Sequence, residues 1–173
     1  MRKQGNARNT WLLSLLTAAV ITACGADEGP VAPTVTDTEL AGILLAAIQD
    51  EYHAEAMYEG VLDDFGQVLP FANIVNAEIR HSTAIARLYE NRGWDVPLNE
   101  WTPVDVPHFR TIVEACAVGV EGELANIALY DDLLAGVTLP LDVLQVFSTN
   151  RAASLEHHLP AFERCSEGVW TSG

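Results

Sequence analysis

Residues 70–92 read Pro70-Phe71-Ala72-Asn73-Ile74-Val75-Asn76-Ala77-Glu78-Ile79-Arg80-His81-Ser82-Thr83-Ala84-Ile85-Ala86-Arg87-Leu88-Tyr89-Glu90-Asn91-Arg92. Phe71, Ile74, Ile85 and Leu88 recur at the spacing of one helix face, and proline suits the start of such a helix. The middle of that apolar stripe is occupied by Glu78 and His81, one turn apart. An isolated ionised carboxylate aimed into a core costs several kcal/mol, or about that much to neutralise. The stretch therefore predicts a helix, from Pro70 to Arg92, whose buried face carries a pair of potential ligands.

Three more helices of similar length flank it. Thr36-Asp37-Thr38-Glu39 has the form of a capping box, and a helical pattern follows to Phe65 before Gly66. Its stripe is Leu44, Ile48, Glu51, Glu55, Tyr58 and Leu62. The third helix is expected from His108 to Ala135, with Phe109, Ile112, Cys116, Gly119, Glu123, Asn126, Tyr130 and Leu133 inward. The fourth opens at Thr138 and Pro140 and reaches Cys165, with Leu144, Phe147, Arg151, Leu155, His158, Phe162 and Cys165 inward. Short turns join the first pair and the last pair, which makes two antiparallel hairpins. Residues 94–107 contain three prolines and no helical period. An extended link of about 14 residues spans roughly 46 Å, against roughly 40 Å for a helix of about 27 residues. The link is long enough to cross the bundle end to end. The expected fold is all-α, a ferritin-like four-helix bundle over residues 37–167 with one long crossover.

Each helix aims a ligand inward near its middle. Glu51, Glu78, His81, Glu123 and His158 are the candidate metal ligands, because several carboxylates and imidazoles in one layer need a cation as common partner. Glu55 is a further ligand or a hydrogen-bond partner of the ligands. Tyr58 and Tyr130 are expected to pack and to hydrogen-bond to carboxylates. Both lie seven residues after a glutamate, Glu51 and Glu123 respectively, so the two hairpins read as a duplicated unit. Arg151 is expected to neutralise a buried glutamate. His53, His108 and His157 are expected on the surface or beside the site. Cys116 precedes Glu123 by seven residues and Cys165 follows His158 by seven, which places both sulfurs toward one end of the bundle. They are expected to form a structural disulfide.

The motifs Asp50-Glu51-Tyr52-His53-Ala54-Glu55, Pro70-Phe71-Ala72-Asn73-Ile74, Ala77-Glu78-Ile79-Arg80-His81, Glu123 with Asn126-Ile127-Ala128-Leu129-Tyr130, and His158-Leu159-Pro160-Ala161-Phe162 together resemble the DUF2202 ferritin-like domain of bacteria and archaea. The resemblance runs from Glu39 to Cys165. It implies the ferritin-like fold and a di-iron site, and it names no substrate. One feature departs from the di-iron pattern. The position three before His158 is Leu155, so the second Glu-x-x-His is missing and its glutamate with it. Two irons, manganese or a single metal ion are the expected occupants. Ferroxidase-like or peroxide-reducing chemistry is one functional expectation. A non-catalytic helical module with a buried polar core is the alternative.

The chain begins with Arg2, Lys3 and Arg8, followed by the apolar run Trp11 to Ala23 and then Cys24. The run is too short and too polar for a good membrane span and reads as a signal peptide, residues 1–23. Ile21-Thr22-Ala23-Cys24 resembles the cleavage box of bacterial lipoproteins. That resemblance implies lipidation at Cys24, a membrane partner, and a place in the cell envelope. Gly25 after the cysteine favours the outer membrane. Residues 24–36 read as a tether, and 168–173 as a tail. Beyond Cys24, six arginines face 24 acids, a formal charge of −18 without one lysine. Such a chain is a poor partner for nucleic acid. No serine triad, phosphate loop or CxxC pair is present to support hydrolase, nucleotide or thioredoxin chemistry.

Overall fold

A computed structural model describes residues 34–169. The expected signal peptide, Cys24 and most of the tether lie outside that range. The described chain is all-helical: α1 (Asp37–Phe65), α2 (Phe71–Glu90), a 3-10 turn (Pro103–Asp105), α3 (Ile112–Ala135), α4 (Leu141–Ala153), a π turn (Ser154–His158) and α5 (Leu159–Ser166). The last three elements form one continuous rod, the fourth member of a helical bundle. Among the described residues, no helix is long and apolar enough to cross a membrane.

Local chemistry sets the boundaries. The Thr36 side chain accepts from the Glu39 N–H, and the Glu39 carboxylate accepts from the Thr36 N–H, so α1 begins on the expected capping box. It ends at Gly66, whose φ of 79° is costly for other residues. The third helix starts four residues later than the His108 expected from its pattern. Thr111 is its N-cap and accepts from the Glu114 N–H, which leaves His108 free to pair with Asp64 near the end of α1.

The link between α2 and α3 runs along α1. The Leu98 carbonyl accepts from Gln49, the Trp101 ring meets His53 at 4.5 Å, and His108 reaches Asp64. The path thus climbs from the first half of α1 to its last turn, as a crossover must. A β-carbon at Gly60 would stand 2.9 Å from Val106 Cγ2, so this close approach needs glycine. Gly119 plays the same part between α3 and α5, where a β-carbon would lie 2.7 Å from the Phe162 ring.

The interior is layered. One apolar core contains Leu44, Ile48, Ile85, Leu88, Val143 and Phe147. The other contains Val61, Phe71, Ile74, Cys116, Phe162 and Cys165. Cys116 and Cys165 are bonded in the second core, with their Cα atoms 5.7 Å apart. The bridge ties α3 to α5. Between the cores lies a layer of buried polar groups.

The fourth helix departs from its expected phase. Leu144 and Leu155, expected inside, are 41% and 40% exposed, whereas Asn150 and Ser154 are 3% and 1% exposed. Val143, Phe147, Asn150 and Ser154 form the inward row before the π turn. A plain α-helix would continue that row through His157, Ala161 and Arg164. The Leu159 N–H instead bonds the Ser154 carbonyl, five residues back. The wider turn absorbs one extra residue and brings His158, Phe162 and Cys165 inward. Pro160 accounts for its position: it has no N–H for the Glu156 carbonyl, and its ring would crowd that carbonyl in a regular helix. Arg151 turns outward with the same phase and forms a two-pronged pair with Asp131, at 2.5 and 3.0 Å. It neutralises a surface aspartate, not a buried glutamate.

Candidate metal centre

Glu51 comes from α1, Glu78 and His81 from α2, Glu123 from α3 and His158 from the π turn. All five are buried. Glu78 stands at the middle. Its Oε2 lies 2.9 Å from His81 Nδ1, and its Oε1 lies 2.9 Å from His158 Nδ1. Glu51 Oε2 approaches His81 Nδ1 at 3.3 Å, and Glu123 Oε2 approaches His158 Nδ1 at 3.4 Å. The layer is thus two three-residue groups, Glu51–Glu78–His81 and Glu78–Glu123–His158, sharing Glu78. Within each group, one ligand atom per residue lies within 4.8 Å of the others. The two imidazoles stack at 5.5 Å with planes 23° apart.

The outer oxygens of the two flanking glutamates are tied down. The Tyr130 hydroxyl of α3 donates to Glu51 Oε1, and Asn150 Nδ2 donates to the same oxygen at 3.3 Å and to Tyr130 Oη at 3.0 Å. The Tyr58 hydroxyl of α1 donates to Glu123 Oε1 at 2.6 Å. Burial, reinforced by the nearby carboxylates, holds both phenols well above their ordinary pKa, so they stay protonated and donate. The inner oxygens have no such partner. Glu51 Oε2, Glu78 Oε1 and His158 Nδ1 are fully buried without a hydrogen bond. Buried polar atoms are rarely left unpaired. Here the orphans converge on the space between the carboxylates and imidazoles, and their closeness without hydrogen-bond direction is what a bound cation needs. Two oxygen-rich groups, each with one imidazole, could each hold a metal ion.

Without a cation, burial drives Glu51 up to about 8. Burial also raises Glu78, but the imidazoles of His158 and His81 close beside it outweigh that and hold Glu78 at about 2. Burial pulls the histidines down, and the glutamates close beside them lift them further, to about 10 for His81 and about 9 for His158. Protons then hold together what a cation would otherwise hold.

Glu55 is not brought into either group. It is half-buried and accepts from the Ser82 hydroxyl. His53, His108 and His157 also lie outside both. Asn150 and Ser154 are the polar residues that helical phase did not foretell. Ser154 donates to Asn126 Oδ1 at 2.8 Å, and Asn126 donates to Asp50 at 2.7 Å, which fixes the π turn against α3 and α1. The signal was present as the row Val143, Phe147, Asn150, Ser154 ahead of a mid-helix proline.

A cavity of about 200 Å³ opens between α1 and α3 and reaches Glu78 and Glu123. Ala54, Met57, Gly122 and Ala125 form an apolar wall, and Asp50, His53 and Glu121 stand with them. Comparison of the chain with family models, curated proteins and solved structures finds no match.

Proposed function

We propose that the protein is a ferritin-like, dinuclear metal-binding protein of the DUF2202 type, anchored in the cell envelope through lipidated Cys24. The observation that carries the metal reading is Glu78, a buried carboxylate with one oxygen turned to each of two glutamate–histidine pairs. Glu51 and His81 would hold one ion, Glu123 and His158 the other, and Glu78 would bridge them. The missing fourth-helix glutamate leaves this donor set with three carboxylates, and Glu55 does not replace it.

Two ferrous ions held there would supply the two electrons that take one hydrogen peroxide, with two protons, to two waters; dioxygen is the alternative oxidant. The chain's own residues set the conditions. Tyr58 and Tyr130 fix the glutamates so that one oxygen of each faces inward. Two apolar cores keep bulk water from the layer. The cavity between α1 and α3 admits a small oxidant, and Asp50 and Glu121 draw cations toward it.

Elemental analysis tests the reading. The full-length protein would be purified in mild detergent without chelator, beside a Glu78→Ala/His81→Ala variant. About two irons or manganeses per chain, absent from the variant, are expected for a bridged pair. No metal, and no uptake on reconstitution, would leave a buried polar network and remove the redox proposal with it.

A further inference from the structure

The face behind the two histidines is built differently from the one in front. Both Nδ1 atoms face the carboxylates, and on an imidazole the other nitrogen lies at the far edge of the ring. The rings stack with their planes 23° apart, and each Nε2 lies across its ring from the Nδ1 that meets Glu78. His81 and His158 line an open cavity of about 370 Å³ between α2 and the π turn. Arg80, His157 and Asn73 line it too, over a floor of alanine side chains. Metal-binding histidines ordinarily donate their second N–H to a carboxylate or a carbonyl, which fixes the tautomer and strengthens the ligand. No hydrogen bond of that kind is formed by either Nε2 among the described residues, and no aspartate or glutamate lines the cavity.

That lack of acid is unusual in a chain with 24 acidic residues. The neighbouring groove, which shares Pro70, Asn73 and Ala161 with this cavity, adds Arg164 and again no acid. Arg92, Arg110 and Arg151 are spent on ion pairs. Arg80 and Arg164, by contrast, have no ion-pair partner among the described residues. Cationic and N–H donors therefore gather in these two cavities with no acid in either lining; Glu156 stands in the adjoining groove beyond His157.

We propose that this cavity binds a small oxyanion, of the phosphate, sulfate or carboxylate class, held by Arg80, His157 and the Nε2–H groups of His81 and His158. The anion supplies the acceptor that the chain withholds from its two histidines. With a cation on the Nδ1 side each Nε2 keeps its proton and donates, and the Arg80 guanidinium donates with or without metal. With metal bound, the anion makes both imidazoles stronger ligands, so the two sites assist each other.

Inorganic phosphate is the probe, titrated into the full-length protein in detergent by calorimetry, with and without metal, and with tetramethylammonium chloride as the cation control. Saturable binding with a Kd at or below roughly 1 mM is expected, the range a few charge-assisted hydrogen bonds give. Arg80→Gln removes the guanidinium, and Asn73→Asp places a charge of the wrong sign on the lining. Both positions are exposed, so the fold and the thermal midpoint should not change, and each variant should weaken phosphate roughly tenfold or more. Long-range imidazole proton–nitrogen spectra should show the Nε2 signals of His81 and His158 moving with phosphate. No saturation by roughly 10 mM, at an affinity scale where a built site would already be full, overturns the proposal. So does binding that neither variant weakens. Because the titration is also run on metal-free protein, loss of the metal reading and loss of the anion site give separate results.

Discussion

The Tyr58 hydroxyl on α1 donates to Glu123 on α3 across the helix interface, at 2.6 Å. The reciprocal bond runs from Tyr130 on α3 to Glu51 on α1. Each helix thus carries a glutamate and, two turns on, the tyrosine that fixes the other helix's glutamate. Removing one hydroxyl frees the outer oxygen and lets the carboxylate rotate away from the centre. Tyr58→Phe and Tyr130→Phe should each weaken metal binding by about 10-fold to 100-fold, the usual cost of losing a group that orients a ligand. Competition against a fluorescent chelator measures this. Unchanged affinity in both variants would make the tyrosines packing groups only.

Glu78 is the one residue that the two three-residue groups share. Glu123→Gln should therefore spare Glu51, Glu78 and His81, and Glu51→Gln should spare Glu78, Glu123 and His158. Each is expected to retain about one metal per chain, while Glu78→Gln, which removes the bridge, falls toward none. If Glu51→Gln or Glu123→Gln alone empties the whole layer, one ion is shared by all five residues.

Acidity should act on the metal-free protein with a definite sign. Glu51 is raised from 4.5 to about 8, and His81 and His158 are raised from 6.5 to about 10 and about 9. The folded chain then binds more protons than the unfolded one, so stability falls as pH rises. The histidine contribution is fully present below 6.5 and disappears as pH climbs through about 9 to 10. The Glu51 loss accumulates between 4.5 and about 8. Glu78, held at about 2, works in reverse, and its contribution fades as pH drops from 4.5 through about 2. Thermal midpoints in the presence of chelator should peak in mildly acidic solution and decline above neutrality. Metal must displace these protons, so affinity should rise with pH across the same alkaline range. A metal-free midpoint that is flat or rising from neutral to alkaline pH would contradict this.

Much of this arrangement was legible in the sequence, for a physical reason. In α1, α2 and α3 the helical period runs unbroken, so Glu51, Glu78, His81 and Glu123 fall on the apolar face by counting alone. Tyr58 and Tyr130 follow from the same count, and the crossover from its length and prolines. The fourth rod defeats counting because its period is broken within it. A stripe drawn backward from His158 lands on Leu155, Arg151 and Leu144, each one place past the residue that is buried. Asn150 and Ser154 were hidden by that slip, and so was the pairing of Arg151 with Asp131. The late start of α3 had a readable sign in Thr111 and Glu114, which the apolar pattern upstream at Phe109 obscured. What orients the glutamates is long-range, between residues 65 and 79 positions apart, and no local pattern encodes such contacts.

The slip itself can be tested. The row Val143, Phe147, Asn150, Ser154 is a plain helical face, and His158, Phe162 and Cys165 sit one residue, or about 100° of rotation, beyond its continuation. The π turn takes up that residue. Deleting Glu156, an exposed member of the turn, removes the excess, and Pro160→Ala restores the N–H that a regular helix needs. The combined variant should run as an unbroken α-helix with His158, Phe162 and Cys165 still inward, keeping its disulfide and its metal content. Deleting Ala128 from α3 is the contrast, because that helix has no spare residue between Glu123 and Tyr130. Everything beyond the cut would turn by about 100° relative to what precedes it. Tyr130 and Glu123 could then no longer both face inward, and metal should be lost. Mass spectrometry of the cysteine state and elemental analysis distinguish the cases. If the Glu156 deletion also empties the site, the widened turn positions His158 by its own shape, and phase alone is not the reason the helix carries it.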